Sequence, residues 1–107
     1  FALSMGVPLH EATTVGGLMG TKLVLNEMVA YMDLTNPALH LSQKSFLIAS
    51  FALCSFGNFG SIAILLGGIG ELAPNQRKNL ARLGVRALIC GTLTCYMSAC
   101  IVGILFN

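Results

Sequence analysis

Two stretches of the chain run without a formal charge for longer than a helix needs to cross a bilayer. Ser45 to Gly70 is 26 residues and Ala87 to Asn107 is 21, against the roughly 20 a spanning helix requires. At about 1.5 Å of rise per residue, either would cross a hydrocarbon core of about 30 Å. The pattern predicts one helix over 43–72 and a last helix over 75–107, its start set by Pro74 and an Asn75 cap. Inside the first, Cys54-Ser55-Phe56-Gly57-Asn58-Phe59-Gly60-Ser61 falls near the middle. Two glycines flanking Asn58 each weaken a helix by about 1 kcal/mol relative to Ala. An interrupted transmembrane helix is therefore expected here, the other reading being an unbroken helix with glycines for close packing.

Before these stretches the pattern changes. An apolar helical segment starts at Pro8, a favoured first helical position, and runs towards Asn26. Lys22, Asn26, Glu27 and Asp33 then recur within 12 residues, too many polar positions for a plain span. Asn26 suits a helix N-cap, with Glu27 in the first turn of a short helix to Leu34, where its charge meets the positive end of the dipole. Helix, break, helix over 8–35 reads as a re-entrant helical hairpin with its tip near Asn26; a break at Gly20 and Thr21 is the alternative. Ala12, Gly16 and Gly20 form a small-residue stripe that would let another membrane helix approach, although the same glycines suit a flexible loop. Residues 1–7 read as the end of a preceding helix, and the chain as a fragment of a longer protein.

Composition supports a membrane setting: 55% of the 107 residues are hydrophobic and 9% charged, where soluble domains average about 25% charged. Of the six basic residues, Arg77, Lys78, Arg82 and Arg86 lie between the two charge-free stretches. Short Lys/Arg-rich loops stay in the cytoplasm, so loop 73–86 is expected inside and the C-terminus outside. The fold class expected is all-α membrane, within a plasma or bacterial inner membrane. A nucleic-acid partner is not expected, because a basic face needs stacking aromatics and none occurs between Phe59 and Tyr96.

Cys54, Cys90, Cys95 and Cys100 sit in apolar stretches, and the last three, five residues apart, cannot share one helical face. They read as small buried packing residues, with no metal site. His10 and His40 lack ligand-spaced neighbours and read as interfacial. No nucleophile elbow, phosphate loop or metalloprotease motif is present, so an enzyme is not expected. The residues that stand out are Glu27, Asn58 and Ser61. A charge near a membrane helix centre costs about 2.5 to 3.5 kcal/mol, so Glu27 needs either a ligand or a structural partner such as Lys22. Asn58 and Ser61, three apart, share a helical face or cap the second half of a broken helix. Transporters build midplane sites from such breaks; a helix-to-helix hydrogen bond is the plainer use.

GTKLVLNEMVAYMDL (Gly20 to Leu34), FALCSFGNFGSIAI (Phe51 to Ile64) and LARLGVRALICGTL (Leu80 to Leu93) resemble the C-terminal half of the concentrative nucleoside transporter family. The resemblance implies cation-coupled nucleoside symport by a homotrimer, with a nucleoside substrate, the lipid bilayer and the rest of the transporter chain as partners. It places Glu27, Asn58 and Ser61 on the ribose, with Asn26, Met28, Phe56 and Phe59 as candidate lining. It implies no cofactor. The coupling ion is Na+ or H+, its site lying mostly outside this segment, as does the hairpin that reads the nucleobase. Met28 stands where the family usually has Phe, and Ser55 and Gly57 replace other small residues. A channel or receptor module, its helix breaks serving packing or gating, is the alternative.

Overall fold

A computed structural model describes residues 1–55 and 57–106. Its elements are helices α1 (Leu9–Val24), α2 (Glu27–Leu34), α3 (Gln43–Ala52), α4 (Phe59–Leu72) and α5 (Arg77–Leu105), with 3₁₀ turns at Leu3–Met5 and Pro74–Gln76. The described residues contain no strand. The helix expected over 43–72 is thus two helices, α3 and α4, separated at Leu53 to Asn58. Neither is long enough to span alone; among the described residues, the one helix that is long and apolar enough is Pro74–Leu105.

The core is the packing of α3 on α5. Ser45, Ile48, Ala49 and Ala52 are buried on α3, spaced by three and four so that they form one face. On α5 the buried residues Leu88, Thr92, Tyr96, Ala99 and Gly103 repeat in the same way. Small residues on both faces let the two backbones approach. The amino-terminal turn seats against the far end of α5, where a Cβ at Gly103 would collide with the Met5 carbonyl oxygen. The opposite face of α5 exposes Ile89, Leu93, Met97, Ile101 and Ile104. Such an uncovered apolar face belongs against lipid or other protein, not water.

The hairpin is α1 and α2, which pack on each other across a break of two residues, Leu25 and Asn26. Gly20 and Thr21 lie inside α1, so the alternative break there does not occur. Glu11, Val15, Leu18, Met19 and Lys22 form the buried face of α1. At its base the Glu11 carboxylate accepts from Ser42 N (2.7 Å), from Ser42 Oγ (2.9 Å) and from Ser45 Oγ. Ser42 caps α3, so an anion sits where the free N–H groups and dipole of that helix favour one. Within this segment Gly16, Gly17 and Gly20 face open space, with nothing within 4 Å of a Cβ added there.

Residues 1–7 hold a 3₁₀ turn at Leu3–Met5 closed by Gly6 at φ +98°, a conformation that suits glycine. Two local expectations are corrected. Pro8 occupies the N-cap of α1, one residue before the helix. Asn75 does not cap α5 but lies within the 3₁₀ turn that Pro74 starts; the N-cap is Gln76, whose side chain makes no capping bond. Its Oε1 accepts instead from Asn79 Nδ2 at 2.8 Å. Arg77 closes the corner, donating from Nε to the Gly70 carbonyl (3.2 Å) and pairing with Glu71 (2.7 Å).

In the complete protein, Gly103→Val pushes a branched side chain onto the Met5 carbonyl and costs about 1–3 kcal/mol. The melting temperature of the detergent-solubilised protein drops by several degrees; an unchanged melting temperature shows that the turn does not seat there.

Candidate functional site

The two helix breaks meet. Asn26 caps α2, its Oδ1 accepting from Val29 N at 2.9 Å, and Asn58 caps α4, its Oδ1 accepting from Ser61 N at 2.7 Å. Both caps have extended backbone, φ −167° and −150°. Each side chain thereby satisfies an N–H that the start of a helix leaves without an intrahelical partner. Glu27, in the first turn of α2, and Asn58, before the first turn of α4, approach to 3.3 Å between Oε2 and Nδ2. Ser61 Oγ donates to Asn58 Oδ1 at 3.1 Å.

Glu27, Asn58 and Ser61 therefore form one polar cluster, though 31 and 3 residues separate its links in sequence. The amide at its centre is used from both ends: its oxygen accepts from Ser61 and its nitrogen donates to Glu27. The Glu27 carboxylate, half-buried, can accept further hydrogen bonds but donate none. Two helix N-termini point their positive ends into the same region. From Asn58 and Ser61 a groove of about 420 Å³ runs between α4 and α5, otherwise lined by apolar residues such as Ile62, Leu66, Leu83 and Leu88. Glu27 does not line that groove.

Of the other candidates, Asn26 spends its side chain on the α2 cap, and Met28 and Phe59 are exposed beside the cluster. Phe56 lies outside the described residues. Lys22 does not pair with Glu27; it is fully buried and its ammonium donates to Ser55 Oγ at 2.6 Å. That link joins the same two breaks one step below the Glu27–Asn58 contact. Tyr31 on α2 adds another, its hydroxyl donating to the Ser50 carbonyl at 2.7 Å. The thiols do not follow expectation as buried packing residues: Cys54 and Cys90 are exposed and Cys95 and Cys100 half-buried. Cys54, at the end of α3 where the helix opens, has its Sγ 3.8 Å from Cys95 Sγ. The two asparagine caps were visible in the sequence, whereas the Lys22 and Glu11 partners lie 31 to 34 residues away and leave no local trace.

Comparison with known proteins gives this geometry a context. The family model described as "Na+ dependent nucleoside transporter C-terminus" matches residues 1–103. An uncharacterized transporter of Bacillus subtilis, YutK, is 51% identical over 102 residues, covering 95% of this chain and 25% of the relative. The nucleoside permease NupC of Helicobacter pylori is 43% identical over 108 residues, covering 96% and 26%. The solved structure of CNTnw in an inward-facing substrate-bound state superposes with a TM-score of 0.84 at 48% identity, over 92% of this chain and 25% of that one. The chain spans about a quarter of the length of these proteins. The family consists of transporters and not of enzymes. With nearly its full length matched by the family model and its helices superposing on a solved relative, this chain belongs to the concentrative nucleoside transporter family, as a C-terminal part of an integral membrane transporter.

Proposed function

We propose that the complete protein carries nucleosides across a membrane by cation-coupled symport, and that this segment supplies the ribose side of the binding site. The observation that carries the reading is the Glu27–Asn58–Ser61 cluster at the meeting point of two interrupted helices. A ribose offers vicinal hydroxyls. The Glu27 carboxylate accepts hydrogen bonds from them, while the Asn58 amide and the Ser61 hydroxyl, fixed to one another, offer both donors and acceptors. Holding these groups at a helix break places them at membrane depth without orphaning the backbone, because the caps satisfy the N–H groups the breaks release.

In this arrangement the α1–α2 hairpin enters and leaves the membrane on one side, α3 and α4 together make one crossing, and α5 makes the last. Loop 73–86 is cytoplasmic and the C-terminus outside. The nucleobase is read by residues outside this segment. The coupling ion, Na+ or H+, is co-substrate and binds mostly there too. The transporter works as a homotrimer in a plasma or bacterial inner membrane. Movement of the hairpin and broken helix as one body, past a fixed remainder, exposes the site alternately to the two sides.

A hydrogen bond to a charged group contributes about 1.5–3 kcal/mol, so Glu27→Gln lowers nucleoside affinity roughly 10- to 150-fold. The measurement is uptake of uridine and adenosine into proteoliposomes carrying the complete protein, under a sodium or a proton gradient. Normal uptake by the inserted variant removes Glu27 from the site. Wild-type protein prefers each nucleoside to its 2′,3′-dideoxy form; indifference to the sugar hydroxyls ends the ribose assignment.

Topology is read separately. In a complete protein stripped of Cys54, Cys90, Cys95 and Cys100, a cysteine replacing Asn79 reacts with an impermeant maleimide from the cytoplasmic side. One replacing Phe106 reacts from outside. The reversed pattern overturns the orientation.

A further inference from the structure

Lys22 is the largest fully buried side chain among the described residues, at 0% exposure. An ionisable residue at membrane depth is expensive and calls for a partner and a purpose. Its ammonium carries three donors and no acceptor, and it gives one of them to Ser55 Oγ at 2.6 Å. The titratable groups around it are the Cys95 and Cys54 thiols and the Glu27 carboxylate. A Lys anchored only for packing would be replaceable by Met or Leu at lower desolvation cost, so the location of its acceptor matters.

Ser55 lies in the connection between α3 and α4, three residues before Asn58. Lys22, for its part, lies near the end of α1, five residues before Glu27. The two interrupted helices are therefore joined by two parallel cross-links. One is cationic, Lys22 to Ser55, and the other anionic, Glu27 to Asn58.

We propose that Lys22 is a positioning residue of the sugar site: by tying α1 to Ser55 it sets the spacing of the two breaks, and with it the seat of Glu27 and Asn58 against the ribose. Lys22 does not touch substrate. It acts through Glu27 and Asn58, and the inference rests on the ribose reading of those two residues. Loss of the ammonium removes the tie to Ser55 and lets the two breaks drift apart. The first consequence is weaker grip on sugar hydroxyls, ahead of any loss of fold.

The test is transport kinetics of the complete protein in proteoliposomes, with uridine and adenosine each compared with its 2′,3′-dideoxy form. Lys22→Met raises the KM of the ribonucleosides about tenfold and leaves that of the dideoxy forms within about twofold. Ser55→Ala keeps the buried charge but removes its acceptor; it moves the same ratio in the same direction by about threefold, less than the loss of the ammonium because it removes only the acceptor end of the tie. A merely structural role predicts equal loss on both sugars, through less inserted protein or lower kcat. Equal loss, or full sugar discrimination retained by either inserted variant, overturns the proposal. Should Lys22→Met fail to insert, Ser55→Ala decides it. If wild-type protein itself does not distinguish the sugars, it is the ribose assignment that has failed, and Lys22 has no site to position.

Discussion

A helix that begins inside a bilayer leaves N–H groups that neither water nor lipid will satisfy. On the proposed topology this chain begins a helix in that way twice, at Glu27 and at Phe59, and both times an asparagine side chain accepts from an orphan N–H. Asparagine rather than serine has a further use here. With its oxygen committed to the cap, Asn58 still has an NH₂ group to turn outward, and that group reaches Glu27. The cap and the candidate ligand contact are thus two ends of one amide. A change that swings the amide to improve one contact damages the other.

The same economy runs along the whole contact between the hairpin and the broken helix. Glu11 binds the start of α3 at Ser42 and Ser45, Tyr31 takes the Ser50 carbonyl near its end, Lys22 holds Ser55 in the gap, and Glu27 meets Asn58 at the start of α4. Ser50 belongs to the last turn of α3, whose carbonyls have no intrahelical donor, so Tyr31 repairs one end of the break as Asn58 repairs the other. Four side chains of the hairpin therefore meet the broken helix in order along its length. Apolar contacts between membrane helices carry little preference for register, because lipid is as apolar as leucine. Polar links at fixed positions specify it, and they make the hairpin and the broken helix candidates to move together.

The breaks were legible in the sequence for local reasons: Asn26 directly precedes a charged first turn, and Asn58 stands between Gly57 and a phenylalanine followed by Gly60. Glu27 stood out because a lone carboxylate in apolar surroundings is costly. The long-range polar partners were not legible. Nothing beside Lys22 distinguishes Ser55 from the chain's other hydroxyls, and the nearest carboxylate, Glu27, looked the natural partner although the break turns it towards Asn58. The cysteines misled in the opposite direction. Their apolar neighbours suggested burial, yet an apolar neighbour on a membrane helix is as readily at the surface, and Cys54 and Cys90 are exposed. Asn75 failed as a cap because Pro74 starts a 3₁₀ turn that moves the beginning of α5 two residues on.

The disposition of charge at the two breaks also bears on what kind of ligand fits. Two helix N-termini converge there, an arrangement that elsewhere attracts phosphate. In this chain that region holds the half-buried carboxylate of Glu27, while Lys22, a cation of the same hairpin, is fully buried and already bound to Ser55. An anionic ligand approaching the cluster would meet like charge first and find the ammonium out of reach. A neutral ligand rich in hydroxyl donors meets a carboxylate acceptor beside two helix N-termini. Under the proposed ribose reading, this order of charges suits a nucleoside better than its phosphorylated form.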